Sequence, residues 1–168
     1  MIKNIKILLI FVMILCFSNN IAYSASSGGS TGGSNSGDGK SKEDLYKSGK
    51  KLVYRAKKLE KKDKLEKAKK LYLKAYNKFE KAYKQDKKNA DILNYLGFTL
   101  RKTGNLKEAE VYYLKGLNID AGHLGINEYL GELYVQTERM DLAKERLAVL
   151  FGCNCEEYEE LKELIENK

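Results

Sequence analysis

One stretch limits what this chain can fold into more than any other. Asn94-Tyr95-Leu96-Gly97 returns 34 residues later as Glu128-Tyr129-Leu130-Gly131. At the same offset Ala109 returns as Ala143, and Asn105-Leu106 becomes Arg139-Met140. A fixed period of this size marks stacked helix-turn-helix units. In the first copy Leu93, Leu96, Gly97 and Leu100 fall at i, i+3, i+4 and i+7, one face of a helix. Thr103-Gly104-Asn105 interrupts that face, and Gly104 suits the left-handed position after a helix end. Leu106, Ala109, Tyr113, Gly116 and Leu117 then build a second apolar face. Small residues at Gly97, Ala109 and Gly116 let two backbones approach, with Leu100 and Tyr113 filling the space around them.

This arrangement resembles the tetratricopeptide repeat. Leu93, Leu96, Gly97, Leu100, Ala109, Tyr113 and Gly116 match that pattern in the first copy, and Leu130, Gly131, Tyr134, Ala143 and Leu147 match in the second. Gly116 stands where alanine is usual, Asn127 where a bulky residue is usual, and Ala121 where proline is frequent. The resemblance implies an all-α fold, a short solenoid of helix-turn-helix repeats over 41–168. Its parts are a divergent lysine-rich first repeat at 41–88, repeats at 90–123 and 124–152, and a C-terminal capping helix at 154–167. Asn94 to Gly97 and Cys153 to Tyr158 also resemble small exported alphaproteobacterial proteins of this repeat type, a likeness that implies no ligand.

The flanking segments have their own signatures. Lys3 and Lys6 precede an apolar run from Ile7 to Phe17, and Ala22-Tyr23-Ser24 offers small residues for cleavage. Residues 1–24 therefore have the layout of a secretory signal peptide. The run is too short for a bilayer, which needs roughly 20 residues. An uncleaved anchor is the alternative, and Cys16 sits inside the run, out of place for lipidation. The expected location is periplasmic or secreted. Residues 25–40 are mostly Ser and Gly and should form a flexible linker. Gly39-Lys40-Ser41 looks like the end of a phosphate-binding loop, but Ser34 stands where its first glycine belongs.

Within 42–88, Leu45, Leu52, Ala56 and Leu59 are expected to form the first helix's apolar face. Lys61-Lys62-Asp63 should break it. The second helix is expected to be long, because Ala68-Tyr72-Ala75 and Ala75-Phe79-Ala82 repeat seven residues apart. Seven residues make two turns with a drift of only about 20°, so such a helix keeps one buried face. At the far end Asn154 is expected to cap the last helix, with Glu157 completing a capping box and Cys153 with Tyr158 as the staple. Tyr158, Leu161, Leu164 and Ile165 would face inward.

Charge divides the chain. Residues 40–88 hold 20 Lys/Arg against 7 Asp/Glu, a net +13, whereas 89–168 hold 9 against 15, a net −6. The basic half reads first as a solvated lysine surface, with weak attraction to anionic membrane or polymer as the alternative. Arg55 is its single arginine, which leaves little of the forked phosphate recognition nucleic-acid binding uses. No nucleic-acid partner is expected. Cys153 and Cys155 can form a local disulfide, remain free or separately paired, or serve thiol redox chemistry. They cannot complete a four-ligand zinc site with the lone His123, which reads instead as a residue of the turn before a helix.

No nucleophile with a base and no phosphate cradle occurs at meaningful spacing, so neither enzyme activity nor a cofactor nor a metal is expected. The repeat resemblance implies that the first helix of each repeat lines a concave groove. Carried onto this chain, the groove positions are Asp91, Asn94, Tyr95, Phe98, Arg101 and Lys102, then Gly125, Glu128, Tyr129, Glu132, Val135 and Gln136. An exposed Phe98 and two tyrosines among polar groups suit a peptide or helix of a protein partner. Tyr95 and Tyr129 can equally be half-buried packing residues. Asn94 and Glu128 are expected to lie off the packing faces. The carboxylate clamp of related co-chaperones does not fit, since Val53 and Lys57 stand where it needs lysine and asparagine.

Overall fold

The computed structural model describes residues 39–168; the signal-peptide segment, Cys16 and nearly all of the Ser/Gly linker lie outside them. The described chain is all-α. Its helices are α1 (Lys42–Glu60), α2 (Leu65–Gln85), α3 (Ala90–Thr103), α4 (Leu106–Leu117), α5 (Leu124–Gln136), α6 (Met140–Leu150) and α7 (Glu156–Glu166). Consecutive pairs pack as hairpins, and each hairpin packs on the next. α7 packs on α5 and α6, as the first helix of a further repeat would. None of these helices is long and apolar enough to cross a membrane.

The first helix of each hairpin carries a glycine facing an aromatic or aliphatic side chain, in its own hairpin for α1 and α3 and on α7 for α5. A Cβ at Gly97 would lie 2.5 Å from the Tyr113 ring, and one at Gly131 2.5 Å from Leu161. Gly49 holds the same place in the first repeat, 2.6 Å from the Phe79 ring. The buried face of α1 therefore runs through Leu45, Gly49, Val53 and Ala56, while Leu52 and Leu59 are only partly buried. This corrects the expected Leu45/Leu52/Ala56/Leu59 stripe. α2 buries Ala68, Tyr72, Ala75, Phe79 and Ala82, so both overlapping registers face inward. Lengthening is shared: α1 has 19 residues and α2 has 21, against 14 and 12 in the next pair.

Turn chemistry explains the breaks. Gly104 closes α3 in the left-handed region at φ 95°. Asn89 and His123 open α3 and α5, their side chains accepting from the Ile92 and Ile126 amides at 3.0 and 3.2 Å. Asn127, anomalous for its position, is fully buried because its amide ties the inter-repeat turn together. Its Nδ2 donates to the Ala121 and His123 carbonyls, and its Oδ1 accepts from Arg146.

The last helix starts differently from expectation. Asn154 adopts φ 51°, a left-handed turn that asparagine tolerates, and makes no cap. Cys155 takes the cap position without a side-chain hydrogen bond, which removes the expected capping box with Glu157. Cys153 and Cys155 are joined by a disulfide, their Cα atoms 5.3 Å apart. Leu161 is buried, with Leu164 and Ile165 partly buried against the core.

Candidate functional site

The first helices of the hairpins, together with α7, share one face, and a cleft of 430 Å³ runs across it. α1 supplies Tyr46 and Lys50, α3 supplies Asp91, Asn94 and Tyr95, and α5 supplies Gly125, Glu128 and Tyr129. The turn before α5 adds Asp120 and His123, and α7 adds Glu157. Tyr46 meets Tyr95 edge-on at 5.7 Å, and Tyr95 stacks on Phe79 at 4.9 Å. Phe79 is fully buried while Tyr46, Tyr95 and Tyr129 stay partly exposed, so Tyr95 and Tyr129 pack and line the cleft at once.

The expected groove residues divide. Asp91, Asn94, Tyr95, Gly125, Glu128 and Tyr129 reach the cleft. Phe98 does not: it is 2% exposed, wedged between Tyr72, Tyr95 and Tyr129, and belongs to the core. Val135, also 2% exposed, is core as well. Arg101 is held by Glu132 at 2.5 Å, and Lys102 by Glu60 at 3.0 Å. Gln136 is exposed at the end of α5 and does not line the cleft.

Asn94 and Glu128 are 6% and 4% exposed, so the expectation that they lie off the packed surface is corrected. Their burial comes from neighbours that only the three-dimensional arrangement supplies. The Asn94 amide nitrogen is 2.8 Å from where a Cβ on Gly125 would sit, and its Oδ1 is buried without a hydrogen bond. Glu128 is covered from α7, where Glu160 approaches it. Carboxylate oxygens of Glu128, Glu132 and Glu160 lie within 4.8 Å of one another.

Burial, the Glu160 hydrogen bond and the charges of Glu132 and Glu160 push the Glu128 carboxyl up to about 9; Lys57 opposes them. The folded chain thus holds this proton far more tightly than an unfolded chain with the ordinary value of 4.5. Stability from this group is full below about pH 4.5 and is lost as pH rises through about 9. Glu128→Gln keeps the shape and removes the titration. Its melting temperature should exceed that of the wild type increasingly from pH 6 to 9, and converge with it near pH 4.5. Thermal melts across that range check this; parallel curves would refute it.

Sequence reasoning passed over Tyr46, Lys50, Asp120, His123 and Glu157 as cleft residues. The lengthened first repeat hides the register of α1, and Glu157 looked like a capping residue. Gly49 marks the close approach in α1, but its spacing from Phe79 mirrors no motif in the later copies, so the sequence carries no signal for that register.

The comparisons with known proteins agree with this architecture. A tetratricopeptide-repeat family model matches residues 78–111, from the second half of α2 into α4. Among solved structures, the Yersinia enterocolitica type III secretion translocator chaperone SycD superposes with a TM-score of 0.50 at 18% identity. The match covers 72% of this chain and 88% of that one. No curated protein matches the sequence. The chain carries a tetratricopeptide repeat, and its helices stack as a solenoid of that type.

Proposed function

We propose that this protein is an exported scaffold that holds a peptide or helix of a partner protein in the cleft of α1, α3, α5 and α7. The observation that carries the reading is one open cleft drawing side chains from four alternate helices, with tyrosine faces for contact and polar groups for orientation. Export rests on Lys3, Lys6 and the apolar run that follows them. No cofactor enters this reading, and binding rather than catalysis is the activity.

A second reading has one observation behind it. The +13 half presents exposed lysines at 61, 62, 64, 67, 69 and 70, which could attach the protein to anionic lipid or polymer of an envelope. Thiol exchange at Cys153 and Cys155 has no comparable support from neighbouring groups. Crosslinked capture from an envelope fraction separates the first two. Asp91→Ala, with Glu138→Gln outside the cleft as the control, should show loss of capture for the former alone. Replacing lysines 64, 67, 69 and 70 by serine should leave capture intact. Loss with the serine variant and none with Asp91→Ala would overturn the cleft reading.

A further inference from the structure

Asp91, Asp120 and Glu157 bring three carboxylates to the cleft lining, against one lysine and one histidine; Glu128, which keeps its proton, adds no charge there. His123 Nε2 stands 3.4 Å from Asp91 Oδ1. Lys50 is not paired with a carboxylate among the described residues; its ammonium lies 5.4 and 5.8 Å from the Tyr46 and Tyr95 ring centres. The chain's own cation thus already uses the aromatic floor in the way a guest cation would.

Asn94 gives the second, independent indication. Asn94 lines the cleft, and its Oδ1 is buried and accepts from nothing. A buried acceptor left open costs about 1–3 kcal/mol, which a donor arriving with a ligand would relieve. Deeper in, Glu128 has carboxylate neighbours on two helices, and the Arg101 guanidinium is taken by Glu132. Lys57 is directed to the Tyr129 hydroxyl at 3.4 Å.

We infer that the cleft takes the arginine or lysine side chain of a basic peptide segment, with the carboxylates matching its charge, the tyrosine faces its stem, and Asn94 Oδ1 accepting one of its protons. This rests on the cleft being the binding site and specifies the class of peptide it takes. A guanidinium fits best: it donates in several directions from one plane and stacks on tyrosine while paired with a carboxylate. A divalent metal suits the cluster less well, because Arg101 already occupies the Glu132 carboxylate.

The test uses the full chain and three pools of fluorescent decapeptides with fixed composition: arginine-rich, glutamate-rich, and uncharged serine/alanine. Anisotropy at moderate salt should show the arginine-rich pool binding at least tenfold more tightly than either other pool. Asp91→Asn with Glu157→Gln should weaken that binding about tenfold, as should Asn94→Leu, which removes the open acceptor at similar volume. Glu138→Gln with Asp141→Asn, which removes as much negative charge away from the cleft, should leave it within twofold. Equal loss with this control variant would reduce the effect to overall charge and overturn the inference. Preference for the uncharged or acidic pool, lost in the cleft variants, would overturn it while leaving the cleft a binding site. Binding of no pool in a cleft-dependent way would sink both. Millimolar calcium displacing the arginine-rich pool from the wild type but not from Glu160→Gln would assign the cluster to a metal instead. A dimer dissolved by the cleft variants would make a second copy's lysine-rich helices the occupant.

Discussion

Gly97→Leu should unfold this domain at a temperature up to roughly 10 °C below the wild type. Glycine within a helix costs about 1 kcal/mol relative to alanine, so an exposed glycine would gain from replacement. Gly97 is not exposed. A Cβ there would come within 2.5, 2.7 and 2.8 Å of three atoms of the Tyr113 ring, and that ring is wholly buried. Tyr113 cannot step aside, because α3, α4 and α5 enclose it within one core. Overpacking of this kind typically costs 1–3 kcal/mol, and a leucine drives three further carbons into the ring. At the upper end that is roughly 10 °C for a domain of this size. Gly122→Ala is the control, since its Cβ would meet nothing closer than 3.7 Å. Thermal denaturation of both variants decides the matter. A melting temperature for Gly97→Leu at or above that of the wild type would remove the close approach from the account of the fold.

Much of this architecture is legible in the chain because its signals are local or periodic. The return of Tyr95-Leu96-Gly97 as Tyr129-Leu130-Gly131 places two helices and their close contacts, and Gly104 places a turn by its backbone freedom alone. The first repeat is harder for a physical reason. Gly49 and Gly97 are 48 residues apart, whereas Gly97 and Gly131 are 34 apart. The 14 extra residues are shared between both helices, so no single insertion marks them, and Gly49 loses its sequence partner.

The cleft is legible only in part. Repeat positions identify which residues face it, but not how deep each one lies. Phe98 is covered by Tyr72 from the preceding hairpin, and Glu128 by Glu160 from the following helix. Both partners lie more than 25 residues away in positions no pattern connects. Asn94 is buried by the one neighbour that lacks a side chain, Gly125, which sequence registers only as an absence.

The same depth makes Arg101 the polar residue whose loss should cost most. Its side chain is 9% exposed, its Nη2 lies 2.5 Å from Glu132 Oε2, and its guanidinium sits 5.8 Å from both the Phe98 and Tyr129 ring centres. Arg101→Met keeps much of the stem and removes the charge. Glu132 would then remain beside Glu128 and Glu160 with no cation of its own. Breaking one side of a buried pair costs about 3–5 kcal/mol, because the surviving charge is stranded, whereas replacing both sides by apolar groups is often neutral. Arg101→Met should therefore lose about 3–5 kcal/mol, a large share of the roughly 5–15 kcal/mol a small domain has. Adding Glu132→Leu to it should restore most of the loss. Urea denaturation of the two single variants and the double variant measures the coupling. If Arg101→Met falls within about 0.5 kcal/mol of the wild type, as an ordinary surface change does, Arg101 is a solvated cation and the carboxylate cluster is not in need of one.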